Sequence, residues 1–129
     1  MIIRIEANSD IPIYTQLTNQ IIEGIARGDS QSGDTLPSVR AFAADLGVNM
    51  HTVNKSYHEL EKKGIIRIMP KSGAVISTPE KLLNHSSISY QRISTDFRPL
   101  IAEALVLGMT KEQIQKLVTS IIQDIKGSD

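Results

Sequence analysis

The stretch LPSVRAFAADLGVNMHTVNKSYHEL, Leu36 to Leu60, limits the fold more than any other part of this chain. Apolar residues recur at helical spacing on both sides of one glycine, Gly47. Ser38 predicts a capped helix whose inner stripe is Val39, Phe42 and Leu46. Asn49 predicts a second cap, for a helix that carries Val53, Ser56, Tyr57 and Leu60 inward and ends near Gly64. Between the two helices the chain must turn within a few residues. Gly47 suits that corner, because only a residue without Cβ enters the left-handed backbone region freely. Ala43 is small where the helices would cross, and Val48 plugs the turn. This set of constrained positions predicts a helix-turn-helix.

A helix-turn-helix presents the outer face of its second helix, N-terminal end foremost, to the major groove of DNA. With Val53 as the buried direction and about 100° per residue, His51, Lys55, His58 and Lys62 point outward. Met50 and Asn54 flank them. Lys55 and Lys62 suit phosphates, and Thr52 can donate to one. Asn54 carries the paired donor and acceptor that read an adenine edge. His51 can reach a base or a phosphate.

Two β-prone runs follow, Ile65–Met69 and Ala74–Ser77, joined by PKSG. They predict a hairpin, or wing, with Lys71, Ser72 and Gly73 at its tip. Upstream, Ile2–Ile5 reads as a short strand and Asp10 as a helix cap, with Pro12 in the first turn. Ile13, Leu17, Ile21 and Ile25 mark one face of a helix that runs to about Arg27. GDSQSGDT is a loop.

Residues 79–91 read as a linker or a short helix. Beyond them Ile93, Phe97, Leu100, Ile101, Ala104 and Leu105 form a helical stripe ending at Gly108. Pro99 either kinks that helix or lies in its first turn. A last helix opens on a capping-box pair, Thr110 and Gln113. It carries Ile114, Leu117, Val118, Ile121, Ile122 and Ile125, and Gly127 ends it. The expected fold class is mainly α with a small β-hairpin: a winged helix-turn-helix over residues 1–78 and a two-helix tail over residues 92–127. Two such helices expose an apolar stripe unless another surface covers it. The expected cover is a second copy, paired through Phe97, Leu100, Ile101, Leu105, Ile114, Leu117, Val118, Ile121, Ile122 and Ile125.

The chain has 129 residues and no net charge, and its basic residues are unevenly placed. Residues 36–78 hold Arg40, Lys55, Lys62, Lys63, Arg67 and Lys71 against Asp45, Glu59 and Glu61. Residues 1–35 are acidic in balance. With no cysteine there is no disulfide, thiolate site or cysteine nucleophile. No apolar run approaches the ~20 residues of a membrane span, and the N-terminus lacks a signal-peptide core. These features predict a cytoplasmic protein. His51, His58 and His85 are the only histidines, and no carboxylate is spaced to complete a metal site with them. No nucleophile–base pair, carboxylate dyad or cofactor loop points to an enzyme. No cofactor is expected. A regulator needs an input, and an unidentified small-molecule effector could lodge between the wing domain and the tail or between two tails, though no residue marks the place. The rival to DNA binding is a winged helix used for protein contacts.

PIYTQL (Pro12–Leu17), GDTLPSVRAFAADLGVNMHTVNKSYHELEKKGII (Gly33–Ile66) and SGAVIS, which ends the wing, resemble the GntR family of bacterial transcription regulators. The short tail resembles the YtrA-like subfamily, known as small dimeric repressors often encoded beside ABC transporter genes. The resemblance implies a homodimer that represses from a palindromic operator. It implies a DNA contact by Arg40, a cap by Ser38, and recognition-helix contacts by Asn49, His51, Thr52 and Asn54. Gly73 matches the second wing glycine. Many members carry guanine-reading arginines where this chain has Met50 and Asn54, so a guanine-centred operator does not carry over. Lys71 replaces the first wing glycine. The expected DNA-facing set is therefore Ser38, Arg40, Asn49, Met50, His51, Thr52, Asn54, Lys55, Lys71, Ser72 and Gly73.

Overall fold

A computed structural model describes residues 1–78 and 87–127. The order of elements is α1 (Ile13–Arg27), β1 (Thr35–Leu36), α2 (Val39–Leu46), α3 (Met50–Lys62), β2 (Ile66–Met69), β3 (Gly73–Ile76), α4 (Ile88–Val106) and α5 (Lys111–Lys126). The chain divides into two compact units, 1–79 and 80–129.

The first unit is built on one core. Leu17 and Ile21 of α1, Val53, Tyr57 and Leu60 of α3, and Ile66 and Ile76 of the sheet are almost wholly excluded from water. Burying such side chains stabilises the fold by about 1.5–3 kcal/mol each relative to exposure. The expected inner stripes of α1 and α3 lie where their spacing put them. In α2 the deepest residue is Ala43, while Val39, Phe42 and Leu46 are half-buried against the core. A larger side chain at Ala43 would hold α2 away from α3.

The sheet is antiparallel with order β1-β3-β2. The hairpin agrees with expectation to within a residue, with Arg67 opposite Val75 and Met69 opposite Gly73. The third strand was not expected. Thr35 and Leu36, read as the end of a loop and a helix approach, pair with Val75 and Ala74. Gly33 N donates to Ile76 O (2.8 Å) and Ile76 N to Asp34 O (2.9 Å), which extends that pairing. Otherwise the inner edge of β3 would carry unpaired amides.

Two expectations at the N-terminus are corrected. Ile2–Ile5 is not a strand. Its backbone is held by side chains of α1: Arg4 exchanges two hydrogen bonds with the Gln20 amide (2.7 and 2.6 Å), and Glu6 just beyond it exchanges two with Gln16 (2.8 and 3.0 Å). Asp10 does not cap α1. Pro12 occupies the N-cap position, and its carbonyl accepts from Thr15 N and Gln16 N (3.0 and 3.1 Å).

In the second unit, α4 begins at Ile88, so Ile88–Gln91 of the expected linker are helical. The rest of that linker up to residue 86 lies outside the described residues. Pro99 sits deep inside α4 rather than in its first turn. The capping box on α5 is complete: Gln113 N donates to Thr110 Oγ1 (3.1 Å) and Thr110 N to Gln113 Oε1 (2.8 Å). Neither helix has a buried residue. No helix among the described residues is long and apolar enough to cross a membrane.

Candidate nucleic-acid interface

The site begins at the corner. Gly47 adopts φ 68° and donates to Ala43 O. Val48 N donates to the same carbonyl (3.1 Å), which closes the end of α2 and turns the chain. Asn49 then caps α3, its Oδ1 accepting from His51 N (2.7 Å). Ser38 caps α2 in the same way, accepting from Ala41 N (3.1 Å).

Three contacts hold α3 with its outer face to solvent. The Tyr57 hydroxyl donates to Pro37 O (2.7 Å), tying the middle of α3 to the entrance of α2. The Tyr57 ring lies 6.3 Å from that of Phe42, tilted by 50°. Thr18 and Ser56 share a buried hydroxyl–hydroxyl hydrogen bond of 2.8 Å between α1 and α3. Burial raises the Tyr57 phenol well above its ordinary pKa, so it stays a neutral donor.

With α3 fixed, Met50, His51, Asn54, Lys55, His58 and Lys62 are exposed, as the helical spacing predicted, and Thr52 is half-buried. The wing is aimed by α3 itself: Glu61 Oε2 accepts from Ile68 N of β2 (2.8 Å). Lys71 and Ser72 are exposed at its tip.

These elements bound an open cleft of about 660 Å³. The start of α2 contributes Ser38, Val39 and Arg40. The start of α3 contributes Met50, His51 and Asn54, and the wing contributes Ile68 through Lys71 together with Gly73. Arg40 and Lys71 bring positive charge to it, and no carboxylate lines it. Seven of the expected DNA-facing residues therefore meet in one place. Asn49, Thr52, Lys55 and Ser72 lie outside its lining. Lys55 leans the other way, its Nζ 4.0 Å from the centre of the Tyr14 ring on α1.

Gly73 differs from the tip residue expected. It is buried, and a Cβ there would strike the carbonyl oxygen of Leu36 and come within 2.8 Å of the Pro37 carbonyl carbon. Its glycine lets β1 approach β3. The left-handed position at the tip is held by Lys71, at φ 67°. Sequence reasoning missed the apolar side of the cleft, formed by Val39, Ile68, Met69 and Pro70. It also missed Tyr14. The first group looked like core or turn residues, and nothing in the local sequence near Tyr14 points to Lys55. Among the described residues no cluster of histidine and carboxylate side chains could hold a metal ion.

An anion-seeking cleft between a capped outward helix and a wing is the geometry of a duplex reader. The profile of the bacterial regulatory proteins of the gntR family matches residues 13–76. The HTH-type transcriptional repressor YtrA of Bacillus subtilis is 34% identical over 97% of this chain and 95% of its own length. A solved structure from Listeria monocytogenes, described as a transcriptional antiterminator, superposes with a TM-score of 0.86 at 33% identity, covering 100% of this chain and 96% of that one. YtrA from Sulfolobus acidocaldarius, a GntR-family transcription factor, gives 0.61 at 34% identity over 97% and 100%. The chain belongs to the GntR family, and is a winged helix-turn-helix, DNA-binding transcriptional regulator rather than an enzyme.

Proposed function

We propose that this protein is a homodimeric repressor that grips a palindromic operator with two copies of the cleft. The observation that carries the reading is the second unit. Phe97, Leu105, Leu117, Ile121 and Ile122 are each about half exposed, and Leu100 is 67% exposed. Two helices that leave this much aliphatic surface in water need a cover. A second copy of the same helices supplies one through an isologous interface. Ile101, Ile114, Val118 and Ile125, half-buried, complete the pairing face. Residues 79–91 connect the reading domain of residues 1–78 to this segment of residues 92–127.

In this dimer Arg40, Lys55 and Lys71 hold phosphates, with Thr52 and Ser72 supporting them. Met50, His51 and Asn54 meet base edges. A duplex partner places the protein in the cytoplasm. The name of the B. subtilis relative supports repression, and the YtrA-like resemblance extends the reading to an operon with an ABC transporter.

Sedimentation at micromolar concentration is expected to give a dimer, and Leu117→Glu with Ile121→Lys a monomer that keeps a folded first unit. A parent that sediments as a monomer overturns the dimer. Titration of duplex DNA against salt is expected to give a log-linear fall in affinity, steeper with more phosphate contacts. No affinity for any duplex in dilute buffer would favour a protein-interaction module instead.

A further inference from the structure

We infer that Met50 reads the methyl group of a thymine, so that each operator half-site carries an A·T step beneath Met50 and Asn54 where a guanine reader would need donors. This rests on the assignment of α3 as the base-reading element.

Met50 is the first residue of α3, at the end of the helix that enters a major groove first, and it is 41% exposed. It lines the same cleft as the apolar Met69, which is 37% exposed, and Pro70. Asn54 stands one turn further along the same face, four residues on. The neighbouring polar candidates are partly occupied. Ser38 Oγ and Asn49 Oδ1 are both engaged as helix caps. The only guanidinium lining the cleft is that of Arg40, on α2.

The chemistry of the four base pairs then discriminates. In the major groove guanine offers two acceptors, and thymine offers an acceptor beside an apolar methyl. Methionine has no donor. Over guanine or cytosine it would cover a polar group and leave it unbonded, which is unfavourable. Over thymine its soft, flexible chain meets the C5 methyl. Asn54 pairs in two-pronged fashion with adenine N6 and N7 and with no other base. Met50 and Asn54 therefore both favour A·T pairs, and His51 between them can accept either kind of base edge.

The test starts by selecting duplexes from a random library with the full chain. Each thymine of the selected half-site is then replaced by deoxyuridine, which removes the methyl and nothing else. One position per half-site is expected to lose about three- to tenfold in affinity, the scale of one buried methyl and its packing. Met50→Ala should bind the thymine and uridine duplexes alike, whereas Met50→Leu should keep most of the difference. Selection with Met50→Arg should change that same position from thymine to guanine. The inference is overturned if no uridine duplex is bound more weakly than its parent. It is equally overturned if the methyl effect persists undiminished in Met50→Ala. Selection of no specific duplex at all would remove the base-reading role of α3, and the inference with it. Specific selection with a G·C pair at the position that Met50→Arg alters would overturn the inference alone.

Discussion

The Lys55 ammonium lies 4.0 Å from the centre of the Tyr14 ring, so a side chain at the start of α1 holds a cation on the recognition helix. An exposed contact of this kind contributes about 0.5–1 kcal/mol. It keeps a long flexible chain in one region over α1, outside the cleft, which lowers the ordering cost of a phosphate contact on that flank. Tyr14→Phe keeps the ring face and is expected to bind DNA like the parent. Tyr14→Ala should weaken binding about two- to fivefold for every duplex sequence. Lys55→Ala should weaken it further and lower the salt slope by about 0.9. Fluorescence titration at several salt concentrations measures all three. A Tyr14→Ala variant that matches the parent would separate the ring from DNA binding.

Tyr57 predicts an alkaline limit to stability. Burial raises its pKa above the ordinary value of about 10, so the folded state keeps the phenolic proton longer than the unfolded chain does. The stabilising effect of that difference is whole below about pH 10 and is lost as pH rises from there towards the folded value. At pH 7, Tyr57→Phe should cost about 1 kcal/mol through the lost bond to Pro37 O. The gap between parent and variant should close above pH 10. Urea midpoints measured from pH 7 to 11 check both statements, and a gap that widens with pH would contradict them.

Lys71 sits at φ 67°, where a side chain costs about 1 kcal/mol that glycine avoids. Lys71→Gly should therefore raise the stability of the first unit by about 0.5–1 kcal/mol after allowing for the freer unfolded chain. The same change removes a cation from the cleft, so affinity for DNA should fall and the salt slope should drop by about 0.9. Thermal melting and salt titration of one variant then move in opposite senses. A loss of stability would show that the lysine stem packs on the wing.

Gly73→Ala should lower stability where Lys71→Gly raises it. Its Cβ would collide with the Leu36 carbonyl and crowd that of Pro37, at a backbone angle of φ 92°. Backbone cannot step aside as a flexible side chain can, so β1 must leave β3 or the wing must shift. The expected cost is at least ~2 kcal/mol. DNA binding should fall along with it, because the same strand carries the wing. Denaturant unfolding, with hydrogen exchange at Ile76 N, locates the damage at the β1–β3 pairing.

The outer face of the recognition helix, the α2 cap at Ser38 and the α3 cap at Asn49, the Gly47 corner, the hairpin and the Thr110–Gln113 box were all legible in the sequence. Each depends on residues within one turn of helix or one hairpin, where spacing and backbone chemistry alone decide the outcome. The N-terminal segment misled for the same reason. Ile2, Ile3 and Ile5 are β-prone, but the backbone groups of Arg4 and Glu6 found the amides of Gln20 and Gln16 instead of a sheet edge. Tertiary structure alone decided that Thr35–Leu36 would become a strand, since two residues carry no period and pair only because β3 offers an open edge. It also decided that Gly73 serves a close backbone approach and Lys71 the left-handed turn, and that Tyr14 meets Lys55. Residues far apart in the chain become neighbours only when the shared core of α1, α3 and the sheet sets their distance, and no local pattern encodes that separation.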